Sequence, residues 1–334
     1  MFRSPSKHRL PAAATMRPML TPASPLNLLT AAQSADPWSF YAERLHRPGL
    51  HHDPELQLWW AGDALTVRLL LEDRRLGVRP PAAPIPPALQ GRPFGALFGQ
   101  WLRMRDDAEH ATEKQTLQQA LAAWAPQQLR QEAARCSAIA ARAGLSHWQW
   151  ASLPCTVAAM LGLPMGRLAA QQQLLGQLAS FAKALKPEAE LSALLDADTA
   201  CLALGERLAP QQIALLWQAY EAGAALLGQA WLDARLPEAL AQLGPLQAPV
   251  HHTRRWAREP LNIGGQVLPA GSPVLLLLLA DSDLAWGHGA HRCPGRDLAL
   301  AIAAEALRHA PDVPTPETQR ARHWPLPNAR VPML

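Results

Sequence analysis

Residues 286–296 read WGHGAHRCPGR and lead directly into an alanine- and leucine-rich segment that predicts a helix. Three kinds of site could carry this pattern. A dinucleotide-binding loop would use Gly287 and Gly289, but Arg292 stands where its third glycine belongs. A metal site built from His288, His291 and Cys293 lacks a fourth nearby ligand and the usual spacing of structural zinc sites.

The third interpretation makes Cys293 a thiolate at the start of a helix. Pro294 suits the first helical position, where no amide hydrogen is needed. The helix dipole and free amides would then lower the pKa of the Cys293 thiol. Glycines ahead of the cysteine let the backbone pass beneath a flat, bulky cofactor without Cβ clashes. A thiolate held in this way is an axial ligand of haem iron and favours O–O cleavage.

These residues resemble the haem loop of the cytochrome P-450 superfamily. That loop has an aromatic residue, a glycine three residues on, a cysteine four further and a glycine two beyond. The matching residues here are Trp286, Gly289, Cys293 and Gly295, with tryptophan where phenylalanine is usual. The resemblance implies haem b as the cofactor, Cys293 as its axial iron ligand, and His291 in contact with a haem propionate.

Two further segments resemble the propionate-binding parts of that family. Residues 106–110 end in His110, and Lys114 follows four residues later on the same predicted helix face. Lysine replaces the usual arginine there, which keeps the charge and loses the bidentate fork. Residues 249–255 resemble the segment whose arginine contacts the other propionate, which here is Arg255.

The segment Gln211–Arg235 predicts a long helix with one apolar stripe. It contains Glu221 and the small residues 222–225, which let another helix or a cofactor approach the backbone closely. The segment resembles the central helix that crosses above the haem in the cytochromes P-450. The resemblance implies that Glu221 faces the pocket and manages protons. Ala222 stands at the position of the family's threonine, which leaves the reaction type open.

A second departure concerns the family's Glu-x-x-Arg motif. The aligned residues run from Gln242 to Pro245 and carry neither charge, and the loop that supplies the third charged partner is absent between Asp283 and Trp286. Loss of all three charged partners together is physically coherent, because removing only one would leave a buried charge unpaired at a cost of about 3–5 kcal/mol. Another set of contacts must therefore brace the haem loop.

The composition excludes several classes of protein. Of the 334 residues 49% are hydrophobic and 17% charged, which supports a large core and excludes a disordered chain. The net charge of +4 is too small to indicate nucleic-acid binding. The longest apolar run, Val274–Ala280, is far shorter than the roughly 20 residues of a membrane span. We therefore predict a soluble protein without membrane or nucleic-acid partners.

The four cysteines form no CxxC pair, so a reducing, cytoplasmic location is expected. The three outside the haem loop lie in apolar helical segments and are predicted to be inert core thiols: Cys136, Cys155 and Cys201.

The predicted fold class is mainly α with a minor β part, in a single, truncated cytochrome P-450-like haem domain spanning residues 31–334. Helices are expected at 63–71, on both sides of Pro126, through most of 153–234 and at 294–309. Strands are expected near 56–60, 267–268 and 274–279. Residues 1–30 are basic and proline-containing and are predicted to be a disordered extension or a start placed too early.

Three functions remain open at this stage. The first is a haem-thiolate monooxygenase of secondary metabolism that oxygenates a small, hydrophobic organic substrate with electrons from a ferredoxin-type donor. The second is a peroxide-dependent or redox-neutral haem-thiolate enzyme, and the third a non-catalytic binding module with the same fold. Candidate basic residues for an acidic donor are Arg103, Arg105, Lys114, Arg292 and Arg296.

Overall fold

The computed structural model describes residues 26–234, 237–242, 248–315 and 322–334. Within these ranges the chain forms ten α-helices and seven short strands. The helices are α1 (Trp38–Leu45), α2 (Ala64–Glu72), α3 (Pro93–Gln100), α4 (His110–Ala122), α5 (Pro126–Ala141), α6 (Leu145–Met160), α7 (Leu168–Ala184), α8 (Leu191–Gly205), α9 (Pro210–Leu232) and α10 (Arg296–Leu307). The predicted fold class, mainly α with a minor β part, is confirmed.

The strands form one mixed sheet and one small hairpin. The strands are β1 (His51–Asp53), β2 (Leu58–Ala61), β3 (Leu76–Gly77), β4 (His252–Ala257), β5 (Leu261–Ile263), β6 (Gln266–Leu268) and β7 (Pro273–Leu277). The sheet order is β1-β2-β7-β4-β3, in which only β2 and β7 run parallel, and β5 pairs with β6. Segments far apart in sequence thus meet at β4, where Trp256 and Ala257 pair with Gly77 and Leu76 of β3.

Most predicted element boundaries agree with the structure. Helix α2 begins after Asp63, whose side chain accepts a hydrogen bond from the Thr66 N–H at 2.9 Å and so caps the first turn. Pro126 starts α5 because proline lacks the N–H that a first helical residue does not need. Helix α10, however, begins at Arg296 with Gly295 as its N-cap, so the prediction that Pro294 opens this helix is wrong.

The central helix α9 packs closely against α6 through its small residues. A Cβ at Gly223 would lie 2.9 Å from the Leu153 Cβ, and one at Gly228 would lie 2.3 Å from the Gln149 Nε2. Of the two explanations for the small residues, close helix packing therefore accounts for these glycines. Apolar residues on both sides of this contact, including Ile213, Leu216 and Leu227, are buried in the main core.

The N-terminal part of the domain starts earlier than residue 31. Residues 1–25 of the predicted extension lie outside the described residues, but Leu28 is only 1% exposed and packs in the core with Tyr41. Pro245 and the Gln242 side chain also lie outside the described part of the chain.

The cysteines outside the haem loop behave as predicted. Cys136, Cys155 and Cys201 are free and buried. Burial raises the pKa of each thiol, to about 11 for Cys136, which keeps them protonated at neutral pH. In the described ranges, no helix is both long and apolar enough to cross a bilayer.

Candidate functional site

A cavity of about 380 Å³ lies between α9 and the loop that carries Cys293. Helix α9 contributes Leu215, Ala219, Ala222, Gly223 and Leu226 to one wall. The loop and the start of α10 contribute the opposite wall, which includes four predicted cofactor-binding residues: Trp286, His291, Cys293 and Gly295. The lining also includes three others from that prediction: His110, Lys114 and Arg255. The fold thus brings seven of the eight predicted cofactor-binding residues to one cavity.

Gly289, the eighth, lies within the loop and shapes it. Its φ of +63° is in the left-handed region that favours glycine, and a Cβ there would lie 3.3 Å from the Leu71 carbonyl oxygen of α2. Gly287 has a φ of +75°, and a Cβ there would lie 3.4 Å from the His291 carbonyl oxygen. The loop can therefore fold tightly against α2 only with glycines at these two positions.

Cys293 is partly buried at the cavity wall. Its N–H donates to the Trp286 carbonyl oxygen at 2.8 Å, which closes the loop on itself. Burial raises the pKa of the thiol, opposed by a hydrogen bond from the Gly295 N–H and by the charges of Arg103, Lys114 and Arg292. The expected lowering of this pKa is therefore wrong for the free thiol, because α10 begins three residues after the cysteine and burial outweighs the cations.

Asp106 connects the loop to three other parts of the chain. One carboxylate oxygen accepts a hydrogen bond from His291 Nε2 at 2.8 Å, and the other accepts from the Val78 N–H at 2.7 Å and Arg258 Nη2 at 2.8 Å. Burial raises the pKa of Asp106, but the hydrogen bonds from His291, Val78 and Arg258 outweigh this effect, so the pKa lies well below its usual range. Burial lowers the pKa of His291, so its neutral ring donates to the carboxylate at neutral pH.

Lys114 also braces the loop. Its Nζ donates to the backbone carbonyl oxygens of Ala290 and Arg292, the latter at 2.8 Å. His110 is buried one helical turn earlier, and its ring centroid lies 4.5 Å from that of His291. The sequence lacks the Glu-x-x-Arg motif, and contacts from Asp106 and Lys114 hold the Cys293 loop instead.

Arg255 is a buried cation without an acidic partner. The residue is 5% exposed, and among the described residues its side chain donates only to Thr253 Oγ1 at 3.3 Å and the Arg254 carbonyl oxygen at 3.0 Å. No carboxylate of the described residues forms an ion pair with it. Burial lowers its pKa to about 10, opposed by the charge of Asp106. Burying an unpaired guanidinium costs free energy, and a carboxylate of a group bound in the cavity would offset that cost by pairing with Arg255.

Glu221 does not occupy the cavity-facing position predicted for it. Ala222 and Gly223 line the cavity, whereas Glu221 is not among the lining residues. Burial raises the pKa of the Glu221 carboxyl, opposed by the charges of Arg103 and Lys186. The inference that Glu221 faces the pocket is therefore corrected: the apolar wall of α9 at this level is made by its small neighbours.

Three of the five basic residues predicted to meet an acidic donor have other roles. Arg103 lines the cavity, where burial lowers its pKa. Arg105 pairs with Asp107 at 2.5 Å and Glu113 at 3.1 Å, and Lys114 is committed to the loop. Sequence reasoning missed Asp106 as a tether, although it stands in the segment that was compared with the propionate-binding part of the family.

The residues present fit an iron porphyrin with two carboxylates. A thiol, two left-handed glycines and a buried arginine without an acid converge on one cavity, and the thiol provides the soft ligand that haem iron takes. No cluster of three or more histidine, cysteine or acidic residues suited to a bare metal ion occurs in the described part of the chain.

Comparisons with known proteins identify the fold. No family model and no curated protein matches the chain. Among solved structures, an epothilone D-bound cytochrome P-450 is 18% identical with a TM-score of 0.74, covering 92% of this chain and 97% of that one. A cytochrome P-450 in complex with an acyl carrier protein carrying hexadec-9Z-enoic acid is 19% identical with a TM-score of 0.64, covering 90% of this chain and 98% of the other. A third, a cytochrome P-450 enzyme for C–S bond formation in chuangxinmycin biosynthesis, is 16% identical with a TM-score of 0.62, covering 84% and 86%. The chain therefore has the cytochrome P-450 fold.

Proposed function

We propose that this protein is a haem-thiolate oxidoreductase that oxygenates a small organic substrate, with Cys293 as the axial ligand of haem b. The observation that carries the proposal is the convergence of Cys293 and the acid-free, buried Arg255 on one cavity under α9. Thiolate-ligated haem supplies the capacity to activate dioxygen or a peroxide. The fold, shared with cytochromes P-450 over about 90% of the chain, supports the same chemistry.

The chain's own residues have separable roles in this proposal. Arg255, His110 and His291 bind the carboxylates of the cofactor, and Lys114 contributes through the loop that it braces. Trp286, Gly289 and Gly295 give the loop its shape around Cys293. Arg103 lines the same cavity and its positive charge favours the thiolate form of Cys293.

Glu221 does not line the cavity itself, but it is adjacent to Ala222 and near Arg103, which do, and we propose that it holds the proton that dioxygen chemistry consumes and passes it to the cavity through a bound water. Burial raises the pKa of its carboxyl, so it keeps a proton to a higher pH than an exposed glutamate. Ala222 offers no hydroxyl, so Glu221 acts without the alcohol partner usual in this family. A Glu221→Gln variant should lower dioxygen-dependent turnover by about 100-fold, since positioned proton transfer contributes roughly 10²–10⁴-fold. Turnover driven by hydrogen peroxide serves as the internal control and should be unchanged. Equal losses of dioxygen-dependent and peroxide-driven turnover would contradict the proton-holding role of Glu221.

A peroxide-dependent or redox-neutral reaction is the second candidate function. The observation that favours it is Ala222 in the cavity wall, where no side chain hydroxyl can serve the proton route. The neighbours solved with a natural product or an acyl carrier protein suggest a substrate from a biosynthetic pathway, free or carrier-bound. For the leading function we propose a ferredoxin-type donor that meets Arg292 and Arg296 on the cysteine side.

The first test is the absorption spectrum of the purified protein after reduction with dithionite under carbon monoxide. A strongly red-shifted Soret band is expected. Turnover is then compared with a ferredoxin and its reductase and with hydrogen peroxide alone, which separates the two enzymatic functions. A protein that binds no haem, or shows the band of histidine-ligated haem, would contradict both and leave a binding module of the same fold.

A further inference from the structure

Two arginines lie close to the end of the β3–β4 pairing at the cavity. The pairing ends at Gly77 and Trp256, and Arg79 and Arg254 each lie two residues beyond this last pair, one on each segment. Both arginines line the cavity. Their guanidinium carbons lie 5.7 Å and 5.8 Å from the centre of the same Trp256 ring.

This arrangement is electrostatically unfavourable as it stands. Two like charges held close together repel each other. The pKa of the half-buried Arg79 guanidinium is lowered by burial and by the charge of Arg254, which is itself an exposed residue. Among the described residues, the Arg79 side chain donates one hydrogen bond, from Nε to the Pro84 carbonyl oxygen at 2.8 Å.

No acid relieves this repulsion in the described parts of the chain. Neither arginine forms an ion pair with a carboxylate there, and the cavity lining contains no aspartate or glutamate. The proposed carboxylates of the cofactor are accounted for by Arg255 and its neighbours. The Arg79–Arg254 pair is therefore left without a counter-charge.

Two guanidinium groups against one indole ring make a suitable receptor for an oxyanion. Both guanidinium groups lie within cation–π distance of the Trp256 ring, and each planar fork can donate two parallel hydrogen bonds to a carboxylate or phosphate. Much of the remaining lining is apolar, including Val78, Leu102 and Val250 nearby in the chain or sheet. The site thus offers a charged end and an apolar body.

We propose that Arg79 and Arg254 bind an oxyanion, a carboxylate or a phosphate monoester, at one end of an otherwise apolar substrate. The proposal rests on the proposed function, because it names the substrate class of that same cavity. The substrate is held at its anionic end by the Arg79–Arg254 pair, and its apolar part extends into the space under α9.

The test is isothermal titration calorimetry of the purified holoprotein with three probes of equal chain length: octanoate, octyl phosphate and octan-1-ol. Each probe is titrated into the wild type, Arg79→Gln, Arg254→Gln and the control Arg47→Gln. Arg47 is a matched control because its guanidinium carbon also lies 5.8 Å from a tryptophan ring, that of Trp60, and the residue is exposed like Arg254, but it does not line the cavity.

At least one oxyanion is expected to bind the wild type about tenfold more tightly than the alcohol, and this preference should disappear in Arg79→Gln and Arg254→Gln. The probe whose affinity falls more identifies the group as carboxylate or phosphate. Octan-1-ol binding should not change, and Arg47→Gln should behave as the wild type. Equal affinity of all probes for the wild type, or an equal loss in the control, would overturn the proposal.

The carbon monoxide spectrum is recorded on the same samples, so the two proposals can fail separately. A thiolate-type band without any oxyanion preference contradicts only the substrate class. An oxyanion preference that depends on Arg79 and Arg254, in a protein that lacks the band, contradicts only the haem-thiolate function.

Discussion

A Cys293→Ser protein is expected to lose the whole red-shifted carbon monoxide band that the wild type shows. Thiolate sulfur is the soft ligand that produces this spectrum, and a serine hydroxyl does not deprotonate at neutral pH to replace it. The change is one atom, and Cys293 donates only its backbone N–H to the loop, at 2.8 Å from the Trp286 carbonyl oxygen. The fold should therefore survive while the iron ligand is lost. Absorption spectra of the reduced, carbon monoxide-bound proteins measure the effect.

Cys201→Ser is the matched control for this experiment. Cys201 is a buried, free thiol on α8 that does not line the cavity. Its replacement should leave the band in place. A band that persists in Cys293→Ser, or that disappears in both variants, would show that Cys293 is not the ligand.

An Asp106→Asn protein is expected to lose about 2–4 kcal/mol of unfolding free energy and to release haem more readily. Asparagine keeps the size of the side chain but removes the charge that Arg258 pairs with, and its amide cannot accept from His291, Val78 and Arg258 together. Breaking one member of a partly buried ionic network leaves the others unpaired, which costs more than the pair itself contributes. Urea unfolding followed by circular dichroism measures the loss.

The pH dependence of this loss of unfolding free energy shows whether the charge of Asp106 or the shape of its side chain is responsible. The pKa of Asp106 is depressed in the folded protein, so its stabilisation is fully present above the unfolded value of about 3.9 and is lost as the pH falls through the folded value. The difference between wild type and Asp106→Asn should therefore be constant from about pH 5 to 8 and shrink below about pH 4.

Asp107→Asn controls for the loss of a neighbouring acid. Asp107 pairs with Arg105 at the surface, with its side chain 44% exposed, and exposed pairs contribute about 0–1 kcal/mol. Equal destabilisation in the Asp106 and Asp107 variants, or none in Asp106→Asn, would contradict the tether.

Much of the local structure could be predicted from sequence because its causes are local. The cap at Asp63 and the proline that opens α5 depend on a few neighbouring residues, and the structure has both. The start of α10 was predicted two residues early, since Pro294 satisfies the same local rule at more than one position. Gly287 and Gly289 of the Cys293 loop have left-handed φ values, a local property that glycine permits, and their predicted role beside a cofactor stays a prediction.

Which charged residues line the cavity could not be predicted from the local sequence. Arg103 and Lys114 have the same sequence signature as surface cations, and only the folded chain shows that one lines the cavity and the other holds the Ala290 and Arg292 carbonyls. Glu221 was placed by its position in α9, but close packing of Gly223 on Leu153 decides which residues of that helix reach the cavity.

The sequence by itself determined the fold class, the loop around Cys293 and the set of residues that meet there, because spacing along one loop or one helix face is a local property. The tertiary structure alone decided which acid braces that loop, how far the thiol is buried, and that Arg79 and Arg254 line one cavity beside Trp256. Each of these depends on contacts and desolvation between residues far apart in the sequence, such as Asp106 and His291, and the free energies of such contacts exist only once the chain has folded.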